Sequence, residues 1–214
     1  MKKLRTIQTI ADAGVVAVLR GDSAAEAVRM AELAVEGGIR IIEITMTVPR
    51  ALEAIGELSK RYADSAEIVI GAGTVLDSET ARAAILEGAE FVVGPSLHAE
   101  TVVLCNRYRI PVMPGVMTIA EIQRALELGV DIVKLFPGNL YSPETIRTIH
   151  GPLPQANIMP TGGVTLDNMA DWFKAGAVAV GIGSDLTREA VKTGNWQSVR
   201  TKAEQYVERF KQLK

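Results

Sequence analysis

Short apolar runs recur along this chain, each closed by glycine or proline and each followed by a segment with helical spacing. They are Val15 to Arg20 before Gly21, Ile39 to Ile44, and Glu67 to Ile70 before Gly71-Ala72-Gly73-Thr74. Phe91 to Val93 before Gly94-Pro95 and Pro111 to Met113 before Pro114-Gly115 follow. The last three are Val130 to Phe136 before Pro137-Gly138, Asn157 to Pro160 before Thr161-Gly162-Gly163, and Ala177 to Ile182 before Gly183-Ser184. Runs this short and this apolar suit strands buried on both faces. Strands of that kind alternating with helices run parallel, because each return to the same end of the sheet needs a crossover. The repeat of roughly 20–28 residues is long enough for a βα unit. The pattern predicts an α/β protein whose single domain, residues 1–214, is a (β/α)8 TIM barrel. An N-terminal helix over residues 2–13 and a C-terminal helix over residues 196–214 flank it. An open doubly wound sheet is the structural alternative and normally has fewer strands.

Helix starts are legible too. Ser23 with Glu26 and Thr118 with Glu121 have capping-box spacing. A composition 48% hydrophobic but 5% aromatic supplies a large core of small aliphatic residues. The formal net charge of −2 and the lack of basic runs give no electrostatic case for nucleic acid or a membrane surface. A single cysteine, Cys105, rules out an intrachain disulfide and sits on the apolar face of a helical segment. No run of about 18 apolar residues is present, and Met1-Lys2-Lys3-Leu4-Arg5 is not followed by an apolar signal core. The expectation is a soluble cytoplasmic protein.

Function in such barrels gathers where strands hand over to the loops that follow. The sixth run, Val130-Asp131-Ile132-Val133-Lys134-Leu135-Phe136, carries a lysine amid apolar neighbours. Desolvation disfavours an ammonium, and a lysine freed of its proton can attack a ketone to form a Schiff base. The plainer reading is a lysine that snorkels to the surface or binds phosphate as a point charge. Glu43 in Ile41-Ile42-Glu43-Ile44 poses the same question for a carboxylate. Either the two form a structural ion pair, or Lys134 forms the imine while Glu43 moves protons. Arg20, at the end of the first run, can fork onto a substrate carboxylate, pair with Glu43, or cap its strand in solvent. Gly162-Gly163 and Gly183-Ser184 close the seventh and eighth runs, where barrels bind phosphate through backbone N–H groups and a short helix. The same glycines also suit tight turns alone. His98 and His150 have no partners at metal-ligand spacing, so neither a metal nor a cofactor is expected.

Taken together, Glu43-Ile44-Thr45, Gly71-Ala72-Gly73-Thr74-Val75, Gly94-Pro95, Pro114-Gly115-Val116, Lys134-Leu135-Phe136-Pro137-Gly138, Pro160-Thr161-Gly162-Gly163-Val164 and Gly181-Ile182-Gly183-Ser184 resemble the 2-keto-3-deoxy-6-phosphogluconate aldolase family. The resemblance implies a metal-independent class I aldolase, a lyase yielding pyruvate and glyceraldehyde 3-phosphate. It also admits 4-hydroxy-2-oxoglutarate as a second substrate. It assigns Lys134 to the Schiff base and Glu43 to general acid/base work. Thr45, Thr74, Pro95, Phe136 and Thr161 fall at substrate-pocket positions, with Gly162, Gly163, Gly183 and Ser184 at the phosphate. A small-molecule substrate and a homotrimer are implied. Some members carry an arginine four residues after the catalytic glutamate, which binds the pyruvyl carboxylate. Here that residue is Thr47, leaving the role to Arg20, Thr74 and backbone N–H groups. Thr161 points to the gluconate rather than the galactonate substrate, whose enzymes tend to be apolar there. Outside the family, a phosphosugar isomerase, a thiamine-phosphate-synthase-like transferase and a non-catalytic phosphate-binding scaffold share the glycine loops. None of these requires the lysine.

Overall fold

A computed structural model describes residues 1–214. Helix α1 (Lys2–Ala13) leads into β1 (Val15–Leu19), then α2 (Ala24–Glu36), β2 (Ile41–Thr45), α3 (Ala51–Arg61), β3 (Val69–Gly73) and α4 (Ser78–Leu86). β4 (Val92–Val93), α5 (Ala99–Tyr108), β5 (Val112–Met113), β6 (Gly115–Val116), α6 (Ile119–Glu127) and β7 (Val133–Leu135) follow. The chain continues through a 3-10 turn (Gly138–Leu140), α7 (Glu144–His150), β8 (Ile158–Pro160), α8 (Met169–Lys174), β9 (Val180–Ile182), α9 (Ser184–Thr193) and α10 (Gln197–Lys211). No helix is long and apolar enough to cross a membrane.

The strands are parallel and form two curled sheets, ordered β5-β4-β3-β2-β1-β9 and β6-β7-β8. The fifth strand expected at Pro111–Met113 is present as β5, which pairs with β4. Beyond it the structure adds a strand the sequence did not suggest. Pro114 has no N–H to give a ladder, and past it β6 pairs with β7 instead. A lone parallel bridge between Thr161 and Gly181 connects the end of β8 to β9. The predicted single eight-stranded ladder is thus replaced by two hydrogen-bonded sheets.

Side chains alternate across a strand, and the alternation sorts the core into two. Val15, Ala17, Leu19, Ile42, Ile44, Val133 and Leu135 pack outward against the helices. Val16, Ile41, Val69, Phe91, Val93, Met113, Ile132 and Met159 form a separate cluster on the other face, joined by Ile10 of α1. The second set matters for the site. Two residues beyond Ile41, Ile132 and Met159, on the same face, come Glu43, Lys134 and Thr161. The apolar cluster is therefore the floor on which polar groups stand at the C-terminal strand ends.

Two predicted caps form. Thr118 and Glu121 make the full capping box on α6. Ser23 accepts the Glu26 N–H at the start of α2, but the Glu26 carboxylate turns to the Asp22 N–H instead of closing the box.

Candidate active site

Glu43 on β2 is wholly buried, and Lys134 on β7 is 3% exposed. Their strands are not neighbours. They meet because both side chains project from the concave face of the sheet, with Lys134 Nζ 3.7 Å from Glu43 Oε1. Space for the carboxylate comes from Gly73 on the adjacent β3, where a Cβ would collide with the Glu43 side chain. Neither Glu43 oxygen has a hydrogen-bond partner. A buried carboxylate without donors is costly, and such exceptions gather where chemistry is done. Lys134 Nζ also lies 5.1 Å from the centre of the Phe136 ring, close enough for the ring face to favour a positive nitrogen.

Lys134 opens onto a pocket of about 690 Å³. Its wall brings together Arg20, Lys134, Phe136, Thr161, Gly162, Gly163, Gly183 and Ser184, all picked out from the sequence. Gly162 and Gly163 have φ of 91° and 75°, a left-handed pair that only glycine adopts at little cost. The turn they make faces the first residues of α9, whose unpaired backbone N–H groups and dipole favour an anion. Thr161 is 4% exposed, and its Oγ1 has no partner.

Three expected residues sit elsewhere. Thr45 is fully buried and hydrogen-bonded to the Leu19 carbonyl at 3.1 Å; its hydroxyl also lies 2.7 Å from that of Thr47. Thr47, two residues on along the chain, is the one in the pocket wall. With its single proton given to Leu19, the Thr45 oxygen accepts from Thr47, which leaves the Thr47 oxygen as an acceptor facing the pocket. Thr74 and Pro95 do not line the pocket. Thr74 has φ 56°, an unusual state for a β-branched residue, which turns the chain out of line as β3 ends. Pro95 packs its carbonyl over Gly115. Conversely, Asp22, Thr187, Arg188, Val191 and Lys192 line the pocket without having been singled out from the sequence, and Glu26, read there only as a capping partner, lines it too. The α9 members follow Ser184 at spacings of three and four, the signature of one helix face.

The remaining titratable candidates have structural places. His98 caps α5 by accepting the Thr101 N–H, and His150 lies 2.9 Å from the Ala156 carbonyl oxygen. Cys105 is buried in the outer core, and burial pushes its thiol up to about 12.

A buried amine beside an unpartnered carboxylate, opening to a pocket with an anion cradle, is the equipment of an enzyme that handles anionic carbonyl compounds through its lysine. The family model described as KDPG and KHG aldolase matches residues 6–202, and the chain belongs to that family. It is 34% identical over 191 residues to the 2-dehydro-3-deoxy-6-phosphogalactonate aldolase of Escherichia coli (strain K12), covering 89% of each chain. It is also 34% identical over 212 residues to a 2-dehydro-3-deoxy-phosphogluconate aldolase of Pseudomonas aeruginosa, covering 98% of this chain and 95% of that one. A solved KDPG aldolase from Legionella pneumophila, with pyruvate captured as a covalent carbinolamine, superposes with a TM-score of 0.83 at 28% identity. That match covers 92% of this chain and 95% of the other.

Proposed function

We propose that this chain is a class I aldolase that cleaves 2-dehydro-3-deoxy-6-phosphogluconate to pyruvate and glyceraldehyde 3-phosphate. The observation that carries the reading is the 3.7 Å approach of Lys134 Nζ, in the pocket wall, to Oε1 of the buried Glu43 behind it.

The amine of Lys134 adds to the C2 ketone, and the carbinolamine loses water to leave a protonated imine. Glu43 supplies and removes the protons of these steps, since its Oε1 lies 3.7 Å from the nitrogen and neither oxygen is held by another donor. A base then takes the proton of the C4 hydroxyl, the C3–C4 bond breaks, and its electron pair passes into the imine as an enamine. The aldehyde departs with its phosphate. Protonation at C3 and hydrolysis release pyruvate and restore the amine. The Phe136 ring favours the cationic imine, and the phosphate rests between the Gly162-Gly163 turn and the start of α9. The substrate carboxylate falls to Arg20, because Thr47 presents an acceptor.

The galactonate epimer is the second reading, supported by the 34% identity to the Escherichia coli enzyme. The free Thr161 hydroxyl in the pocket wall favours gluconate. The same lysine and glutamate also serve cleavage of 4-hydroxy-2-oxoglutarate. Closure of the two curled sheets into one (β/α)8 barrel domain fits the Thr161–Gly181 bridge and the shared stretch of β5 and β6. A homotrimer would cover Leu76, Met117, Ile119 and Leu140, which follow the strands as exposed apolar residues.

Borohydride reduction in the presence of pyruvate, followed by intact mass and peptide mapping, tests the mechanism. A reduced pyruvyl adduct on Lys134, and loss of cleavage in a folded Lys134→Ala variant, are the expected results. No adduct, or retained cleavage in that variant, removes the reading.

A further inference from the structure

The pocket is longer than its cradle. Ser184, Thr187, Arg188, Val191 and Lys192 all line it, so one face of α9 borders it for two turns, about 12 Å at 1.5 Å per residue. Arg188 and Lys192 stand on that face, and neither takes part in an ion pair; the pairs in this region join other residues. Asp185, in the first turn of α9, is already occupied. It accepts from the Tyr206 hydroxyl at 2.7 Å and lies 3.2 Å from Lys202 Nζ, both on α10. Its charge is thereby balanced away from the cradle.

A phosphate monoester carries nearly two negative charges at neutral pH, whereas the cradle offers neutral N–H groups and a helix end worth about half a charge. A second observation marks the adjoining wall of the pocket as a ligand site: the Thr161 hydroxyl, 4% exposed and next in sequence to the Gly162-Gly163 turn, stands unpartnered there. Helical side chains lean toward their own N-terminus. Arg188, one turn after Ser184, therefore leans back toward the cradle, while Lys192 lies a turn further from it.

We propose that Arg188 is the residue that selects a phosphorylated over an unphosphorylated 2-keto acid. Its guanidinium forks onto the phosphate held between the Gly162-Gly163 turn and the start of α9. Lys192 contributes only long-range attraction, which salt screens. The assignment rests on the aldolase reading for its substrates but on the pocket alone for its anion.

The experiment therefore measures binding and turnover separately. Calorimetric titration with glycerol 3-phosphate is run on the wild-type, Arg188→Ala, Arg188→Lys and Lys192→Ala proteins. Removing Arg188 is expected to weaken binding about tenfold or more, the range for hydrogen bonds to charged groups. Lysine at that position recovers part of the loss, and Lys192→Ala changes affinity less than threefold. In turnover, Arg188→Ala is expected to lower kcat/KM for the phosphorylated substrate by a similar factor and to spare 4-hydroxy-2-oxoglutarate. An Arg188→Ala protein that binds glycerol 3-phosphate within twofold of wild type overturns the assignment. So does an equal loss on both substrates, or a wild type that does not bind the phosphate ester. Failure to trap pyruvate on Lys134 sinks the aldolase reading instead and leaves the titration valid.

Discussion

Gly73 determines whether Glu43 can stand where it does. A Cβ added at Gly73 would sit 2.5 Å from both Cγ and Cδ of Glu43 and closer still to Oε1. Ordinary contact begins near 3.4 Å, so the side chain must retreat by about 1 Å. The retreat has no soft direction, since Glu43 is fully buried and β3 is held to β2 across its length. Overpacking of this kind costs about 1–3 kcal/mol of stability. A misplacement near 1 Å at reacting groups costs on the order of a hundredfold in rate. Gly73→Ala is therefore expected to fold, to melt lower, and to cleave substrate about a hundredfold more slowly per folded molecule. Gly71→Ala is the matched control. It lies two residues back on the same strand, and its Cβ would meet the Phe91 ring at 2.5 Å, with no Glu43 atom among its nearest neighbours. It should lose comparable stability and keep most of its activity. The assay pairs thermal melts with steady-state cleavage and with the rate of borohydride trapping by pyruvate. Equal activity losses in the two variants would refute the reasoning, as would a Gly73→Ala enzyme with wild-type turnover.

Two further outcomes can be checked on the intact protein. The Met117 N–H, helped by Thr118, holds the Glu121 carboxylate below its usual range. A lowered folded value means that this stabilisation is complete above the unfolded pKa and fades as pH falls through the folded one. The difference in melting temperature between wild type and Glu121→Ala should accordingly shrink on acidification below about pH 4, and a gap that widens there would contradict the assignment. Cys105, with its thiol pushed up to about 12 by burial, should resist iodoacetamide at pH 8 in the native protein and react fully in denaturant; rapid native alkylation would show that α5 opens.

The alternation of apolar runs with helical segments is enough to read the βα order, because each strand is buried on both faces and several helices, such as α2 and α6, start at a recognisable cap. Lys134 and Glu43 stood out for a related reason: a charge inside such a run needs a partner or a task. What the sequence could not carry was phase and direction. Thr45 and Thr47 are both threonines near the end of one strand, and only the turn after β2 decides which faces the pocket. The run at Pro111–Met113 reads as ending at Pro114-Gly115, whereas the chain resumes pairing past Pro114 as β6, against a different partner. Thr74 and Pro95 follow strands as the pocket glycines do, but the backbone leads them off the wall. Arg188 and Lys192 lie in a short charged helical segment with no buried run to single them out. Their place depends on how α9 is rolled against α10, which the Tyr206–Asp185 contact fixes.

The apolar floor beneath the site also has a temporal consequence. Ile10, Phe91, Met113 and Met159 fill the concave face below Glu43 and Lys134, so the pocket is closed on that side. In the proposed reaction the fragment bound to Lys134 lies deepest, and the phosphorylated aldehyde lies above it beside α9. The order of departure is then set by depth. The aldehyde must clear first; C3 of the enamine then takes a proton, water attacks C2 of the regenerated imine to free the pyruvate below, and in the reverse direction pyruvate must be seated first.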